Sequence, residues 1–227
     1  MEIVIDEEFR RELLDKITMR EFKERTGVHS SDVVYCVNKQ GLRRRNPTIE
    51  ADHVQLIYSL GWSTQRWLTG QTEDEPSREV DGILVTCDAL YEGSPWELKA
   101  TFQSSSRAIS DNMFWLRQIM AQCHVMSCTE ARLSRLEIMG NWKSIFGSKE
   151  EKALNLPENQ RPTLSAYKLT FTKAELERNW KWMLERKRLF EKVLETGKLY
   201  PPRMALPDGQ EFECQYCSYK GKECVGV

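Results

Sequence analysis

The order of hydrophobic and polar positions predicts helices first, then a mixed succession of strands and helices. Residues 6 to 26 read as helix in two pieces, because Thr18 with Glu21 forms a capping-box pattern and Gly27 fits the stop. A second start follows at Ser31, carrying Val33, Val34 and Cys36, and Asn46-Pro47 breaks the chain. Residues 49 to 68 read as a helix with Val54, Ile57, Tyr58, Trp62 and Gln65 near one face, ended by Gly70, with a loop from Gln71 to Arg78. A β-like run over 79 to 90 (Val80, Ile83, Leu84, Val85), a turn at Gly93-Ser94-Pro95 and a strand from Trp96 to Phe102 together predict a hairpin. Residues 109 to 126 return to a 3.6 period through Ile109, Met113, Leu116, Met120 and Cys123. Strands are expected over 131 to 139 and 163 to 171, separated by a Lys/Glu-rich, Pro-bounded insertion. Thr172 and Glu175 cap a helix running to Thr196, with Trp180, Met183, Leu184 and Val193 as its apolar stripe and Gly197 as its stop. The last thirty residues hold Pro201-Pro202, Pro207 and Gly209 and are expected to lack regular structure. The sum is an α/β chain: an N-terminal helical region (1–70), a core (71–197) and a cysteine-rich tail (198–227), integrated as one domain.

Composition narrows the class. At 227 residues, with 40% hydrophobic and 30% charged, the chain can bury a core. No apolar run approaches the roughly 18 to 20 residues that span a bilayer, and Met1 to Arg10 is acidic without a signal-peptide core, so a cytoplasmic protein without membrane contact is expected. The net charge of -1 advertises no extended nucleic-acid surface, although Arg43-Arg44-Arg45 offers a local basic patch or else a solvated helix end. Trp62, Trp67, Trp115 and Trp180 fall at core spacing, and an exposed tryptophan could instead stack on single-stranded bases. The seven cysteines are odd in number and unevenly spaced, which favours metal binding over a disulfide framework.

Chemistry concentrates on Asp81, Glu97 and Lys99. Strand side chains alternate faces, so Glu97 and Lys99 point the same way, and Asp81 joins them if the two strands pair through the turn at 93–95. Two carboxylates with a backbone carbonyl, here that of Leu98, make a hard oxygen site for Mg²⁺ or Mn²⁺. A lysine alongside can position water or stabilise charge developing on a phosphate. The bland alternative is a solvated or cross-strand Glu/Lys pair.

The segment Val80-Asp81-Gly82, Glu97-Leu98-Lys99-Ala100 and Gln118 resembles the D…E-x-K…Q series of RecB-type PD-(D/E)XK nucleases. The resemblance implies a restriction-endonuclease-like core sheet flanked by helices, a metal held by Asp81 and Glu97, a water assisted by Lys99, and Gln118 as support. DNA with single-stranded or free ends is the implied substrate, with protein partners in DNA processing or CRISPR adaptation. Gln65 stands where that family usually places a histidine, and Gln122 where it tends to place a tyrosine. His53 is expected to be structural. The alternative within the same fold is a non-catalytic DNA-binding or assembly subunit.

Cys214-x2-Cys217-x6-Cys224 forms a compact thiolate nest whose spacing suits zinc or an iron–sulfur centre equally. Cys36 resembles the lone N-terminal cysteine of iron–sulfur RecB-like nucleases, in which one cysteine before the core and three after it hold a 4Fe-4S cluster. By that resemblance the cluster takes Cys36, Cys214, Cys217 and Cys224, with Zn²⁺ as the alternative. Cys87, Cys123 and Cys128 read as buried small hydrophobes.

Overall fold

A computed structural model of the protein describes residues 6–21, 25–47, 52–70, 75–101, 108–137 and 163–225. The helices are α1 (Glu7–Glu21), α2 (Ser30–Val34), α3 (Val37–Arg45), α4 (Asp52–Thr69), α5 (Met113–Val125), α6 (Lys173–Thr196) and the short α7 (Pro202–Ala205). The strands are β1 (Val28–His29), β2 (Ser77–Val80), β3 (Ile83–Thr86), β4 (Ala89–Tyr91), β5 (Ser94–Thr101), β6 (Glu130–Glu137) and β7 (Thr163–Thr170). They form a small sheet ordered β1-β3-β2 and a larger one ordered β4-β5-β6-β7. This mixed α/β layering, with sheets flanked by helices, is what the resemblance implies.

Several expectations change. α1 runs unbroken through Thr18, so the first helix is one piece. Phe102 and the insertion after β6 lie outside the described residues. The run over 79 to 90 is three strands, not one. At its first break Asp81 (φ 50) and Gly82 (φ 70) take the left-handed conformation of a two-residue hairpin turn, which lets β2 fold back on β3 with Val80 opposite Ile83. The tail is not wholly irregular, since it forms α7 and a 3₁₀ turn over Glu211–Tyr216. Trp67 is 76% exposed and Met113 is also exposed, whereas Trp115 and Trp180 are core as expected.

In the larger sheet β5 and β6 are parallel, joined through α5, while both outer pairs are antiparallel. A parallel connection needs a crossover, and it sets α5 against one face of the sheet. Ile119, Met120 and Cys123 on that helix pack on Ala131 and Leu133, with Leu176 from α6. The second core lies between the small sheet and α2, α3 and α6, where Val33, Val37, Ile83, Val85, Met183 and Phe190 are almost fully buried. Each such side chain contributes about 1.5–3 kcal/mol of burial free energy. Gly41 lets α3 approach α6 closely: a Cβ there would sit 2.4 Å from Val193 Cγ1.

α6 is the beam that both cores share. Its start is capped reciprocally, with Glu175 N–H donating to Thr172 Oγ1 (3.2 Å) and Thr172 N–H donating to Glu175 Oε2 (2.7 Å). At mid-helix, buried Arg186 donates from Nε to the Val33 carbonyl (2.5 Å), and from Nη2 to the carbonyls of Tyr35 (2.7 Å) and Ala205 (2.8 Å). Burial pushes this guanidinium down to about 10. One side chain therefore ties the α2–α3 junction to α7. Arg186→Met would remove the donor to four carbonyls, Val33, Tyr35, Met204 and Ala205, at a cost of about 3 kcal/mol. Urea unfolding should show a lower midpoint at an unchanged slope; an unaltered midpoint would contradict this role.

Candidate active site

The β4–β5 hairpin turns at Glu92 (φ 50) and Gly93 (φ 77), and its register pairs Tyr91 with Ser94, Leu90 with Pro95 and Ala89 with Trp96. One further step sets Asp88 opposite Glu97. Asp88 Oδ2 accepts a hydrogen bond from the Leu98 N–H at 2.6 Å. The N–H and C=O of one strand residue point to the same edge, so the Leu98 carbonyl also faces the Asp88 side.

Glu97 is only 1% exposed. Its Oε1 pairs with the Lys99 ammonium, and its Oε2 accepts from Gln122 Nε2 at 2.6 Å. Gln122 also donates to the Thr86 carbonyl (2.9 Å), and Lys99 donates to Gln118 Oε1 at 3.2 Å. Gln118 and Gln122 are one turn apart on α5, so they share the face turned to the sheet. Burial, then the charge of Glu97, pushes the Asp88 carboxyl well above its ordinary value. Burial alone would lower Lys99, but the charges of Glu97, Tyr35 and Asp88 outweigh it and hold the ammonium above its usual range. The arrangement is two carboxylates, one carbonyl and one cation at the edge of a sheet, a set able to hold a hard divalent ion beside a phosphate. Among the described residues no three His, Cys, Asp or Glu side chains converge as a metal cage.

Asp81 is not part of this group. It is exposed in the β2–β3 turn, and its Oδ2 accepts from Trp180 Nε1 at 2.8 Å, with His124 stacked on that indole at 4.5 Å between ring centroids. The carboxylate that joins Glu97 and Lys99 is Asp88, because β4, not the strand carrying the turn, pairs with β5. Gln65 does not reach the carboxylate pair either; its Nε2 donates to Glu75 Oε1 at 2.6 Å. Glu75 in turn adds weakly to the negative field at Asp88. Asp88, Glu75 and Gln122 are thus the site residues that strand periodicity alone does not single out.

The arginine run is absorbed by the fold in part: Arg44 pairs with buried Asp32 (2.7 Å), and Arg45 donates to the Leu194 carbonyl (2.5 Å) at the end of α6. Cys36 and Cys214 are both buried where α3 meets the tail, with Cys36 N–H donating to Glu213 Oε2 (3.3 Å). Asn38 Nδ2 lies 4.0 Å from Cys224 Sγ, and the Lys220 N–H donates to the Cys217 carbonyl. These contacts bring α3 against the tail, while among the described residues no three of the thiols group as metal ligands. Burial pushes the Cys36 thiol up to about 11. Cys87 and Cys123 are buried, as expected, and Cys128 is half-buried.

No family model matches the chain, and no curated protein does. Among solved structures, the crystal structure of SSO0001 superposes with a TM-score of 0.55 at 15% identity, covering 97% of this chain and 98% of that one. A phage-related exonuclease from Haemophilus somnus 129PT gives a TM-score of 0.48 at 10% identity, over 79% of this chain and 100% of that one. An alkaline exonuclease from Laribacter hongkongensis gives 0.39 at 13% identity, over 74% and 89% respectively. The likeness to SSO0001, nearly full-length in both chains, shows a shared fold. No helix among the described residues is long and apolar enough to cross a membrane.

A raised Asp88 value means that the folded chain holds this proton more tightly than the unfolded chain does. That contribution to stability is full below the unfolded carboxylate value of about 4 and is lost as pH rises through the folded one. Metal-free Asp88→Asn should therefore lose less stability than the parent between pH 4 and 8, as read by thermal unfolding across pH. Parallel curves for the two proteins would contradict the assignment.

Proposed function

We propose that this protein is a metal-dependent DNA nuclease whose site is Asp88, Glu97 and Lys99, with Gln118 and Gln122 as supports. The observation that carries the reading is the cross-strand placement of Asp88 against Glu97, with the Lys99 ammonium bridging Glu97 and Gln118. Burial first, and the Glu97 charge second, push the Asp88 carboxyl up, and a divalent cation between the two carboxylates offsets both. The donors are all hard oxygens, so Mg²⁺ or Mn²⁺ fits them. Asp88, Glu97 and the Leu98 carbonyl would hold the ion, which supplies Lewis acidity for phosphodiester hydrolysis.

The chain's own groups divide the remaining work. Gln122 fixes the rotamer of Glu97 through Oε2. Gln118 Oε1 accepts a hydrogen bond from the Lys99 ammonium and so aims it. Lys99 orients the attacking water and stabilises charge as it grows on the phosphate. Free single-stranded DNA ends as substrate, exonucleolytic action, and a setting in DNA processing or CRISPR adaptation follow from the RecB-like resemblance. A second reading, a non-catalytic DNA-binding or assembly subunit, draws on Gln65, whose amide is committed to Glu75.

A Mn²⁺ cleavage assay on end-labelled single and double strands separates the two. Asp88→Ala, Glu97→Ala and Lys99→Ala should each lose at least about 100-fold, whereas Asp81→Asn, removed from the site, should stay within a few fold of the parent. Full activity in Asp88→Ala, or none in the parent, would refute the assignment.

For the cysteine corner we propose a 4Fe-4S cluster held by Cys36, Cys214, Cys217 and Cys224, with Zn²⁺ as the alternative. Its support is the convergence of the two chain ends near Glu213 and Asn38. The cluster would staple α3 to the tail. Anaerobically purified protein should be brown with absorbance near about 400 nm, lost in Cys214→Ser; a colourless protein carrying zinc would overturn the iron–sulfur assignment.

A further inference from the structure

Next to Lys99, on the neighbouring strand, stands a cation that the site described above does not use. Lys99 and Arg135 are register partners in the parallel β5–β6 pair, as are Thr101 and Glu137. Neighbouring strands lie about 4.8 Å apart, and partners in register share a face. That face is apolar under α5, at Ala131 and Leu133, and turns polar beyond them toward the carboxyl ends of the strands. In open α/β sheets ligands lie in the crevice at those ends.

The guanidinium is held in place. Arg135 Nη2 lies 3.3 Å from Glu137 Oε1, and Glu137 Oε2 accepts from Thr163 Oγ1 at 2.6 Å. Both charged side chains keep some solvent contact, at 12% and 14%. Among the described residues, the buried Thr101 hydroxyl has no hydrogen-bond partner. A fixed fork of donors beside the catalytic lysine, with a spare hydroxyl adjacent, matches the shape of a phosphate diester.

We propose that Arg135 is a phosphate-binding residue that grips the DNA backbone next to the phosphate being cleaved, with Thr101 as a second donor. This rests on reading the site as a DNA nuclease. Glu137 and Thr163 position the guanidinium and need not touch DNA. An arginine that only braces the fold would leave DNA binding indifferent to its charge.

The test is an anisotropy titration of a labelled single-stranded oligonucleotide, with Ca²⁺ in place of Mg²⁺, from about 50 to 200 mM salt. Arg135→Gln should raise Kd by about tenfold at low salt and flatten the dependence of log Kd on log salt by about one phosphate contact. Arg135→Lys should keep the slope, and Glu137→Gln should keep it too. Arg135→Met preserves the aliphatic stem and carries the same expectation as Arg135→Gln should the latter not fold. Parent-like affinity and slope in Arg135→Gln or Arg135→Met overturn this proposal alone. A parent protein that binds no DNA at any salt overturns the nuclease reading with it.

Discussion

The carboxylate of Glu97 is buried almost completely, and the structure around it is arranged to make that burial tolerable. An isolated carboxylate in an apolar interior costs many kcal/mol. Here one oxygen takes the Lys99 ammonium and the other takes the Gln122 amide. Among the described residues the second carboxylate, Asp88, accepts one hydrogen bond, from the Leu98 N–H, and burial pushes it toward its protonated form. A satisfied negative group beside an under-satisfied one, opening on one sheet edge, is an arrangement that gains from a cation. The hairpin register, the α5 crossover and the two glutamines one turn apart all serve that single electrostatic geometry.

The rest of the fold holds this edge rigid. α6 packs on both cores, and Arg186 draws the α2–α3 junction and α7 onto it through four carbonyls. The same junction carries Tyr35, whose hydroxyl feels the charges of Lys99 and Glu97, and Cys36, which faces Glu213 and Cys214. Adjacent residues thus face the carboxylate pair on one side and the cysteine-bearing tail on the other. The cysteine-bearing tail and the carboxylate pair are thus anchored to one scaffold, the α2–α3 junction packed on α6.

Much of this was legible in the sequence, for definite physical reasons. α5 and α6 follow strong helical periodicity, and the Thr172/Glu175 box forms as read. Glu97, Lys99 and Gln118 meet because alternation along β5 and helical phase along α5 are robust rules. Asp81 failed on turn chemistry. Asp-Gly between Val80 and Ile83 is a strong two-residue turn signal, and it ends one strand and begins another. Counting back from the Glu92-Gly93 turn gives Asp88 as the residue opposite Glu97, so register locates the acid where motif spacing does not. The partners of Gln65 and the fate of Arg44 and Arg45 were not legible, because each depends on segments far away in sequence.

The central claim is that Asp88 and Glu97 form one divalent-ion site. The most direct test is a crystal of the protein soaked in Mn²⁺ and measured at the manganese absorption edge. The account predicts an anomalous peak between the carboxylates of residues 88 and 97, within ligand distance of the Leu98 carbonyl. A peak at Asp81 beside Trp180, or none near Glu97 at saturating Mn²⁺, would contradict it.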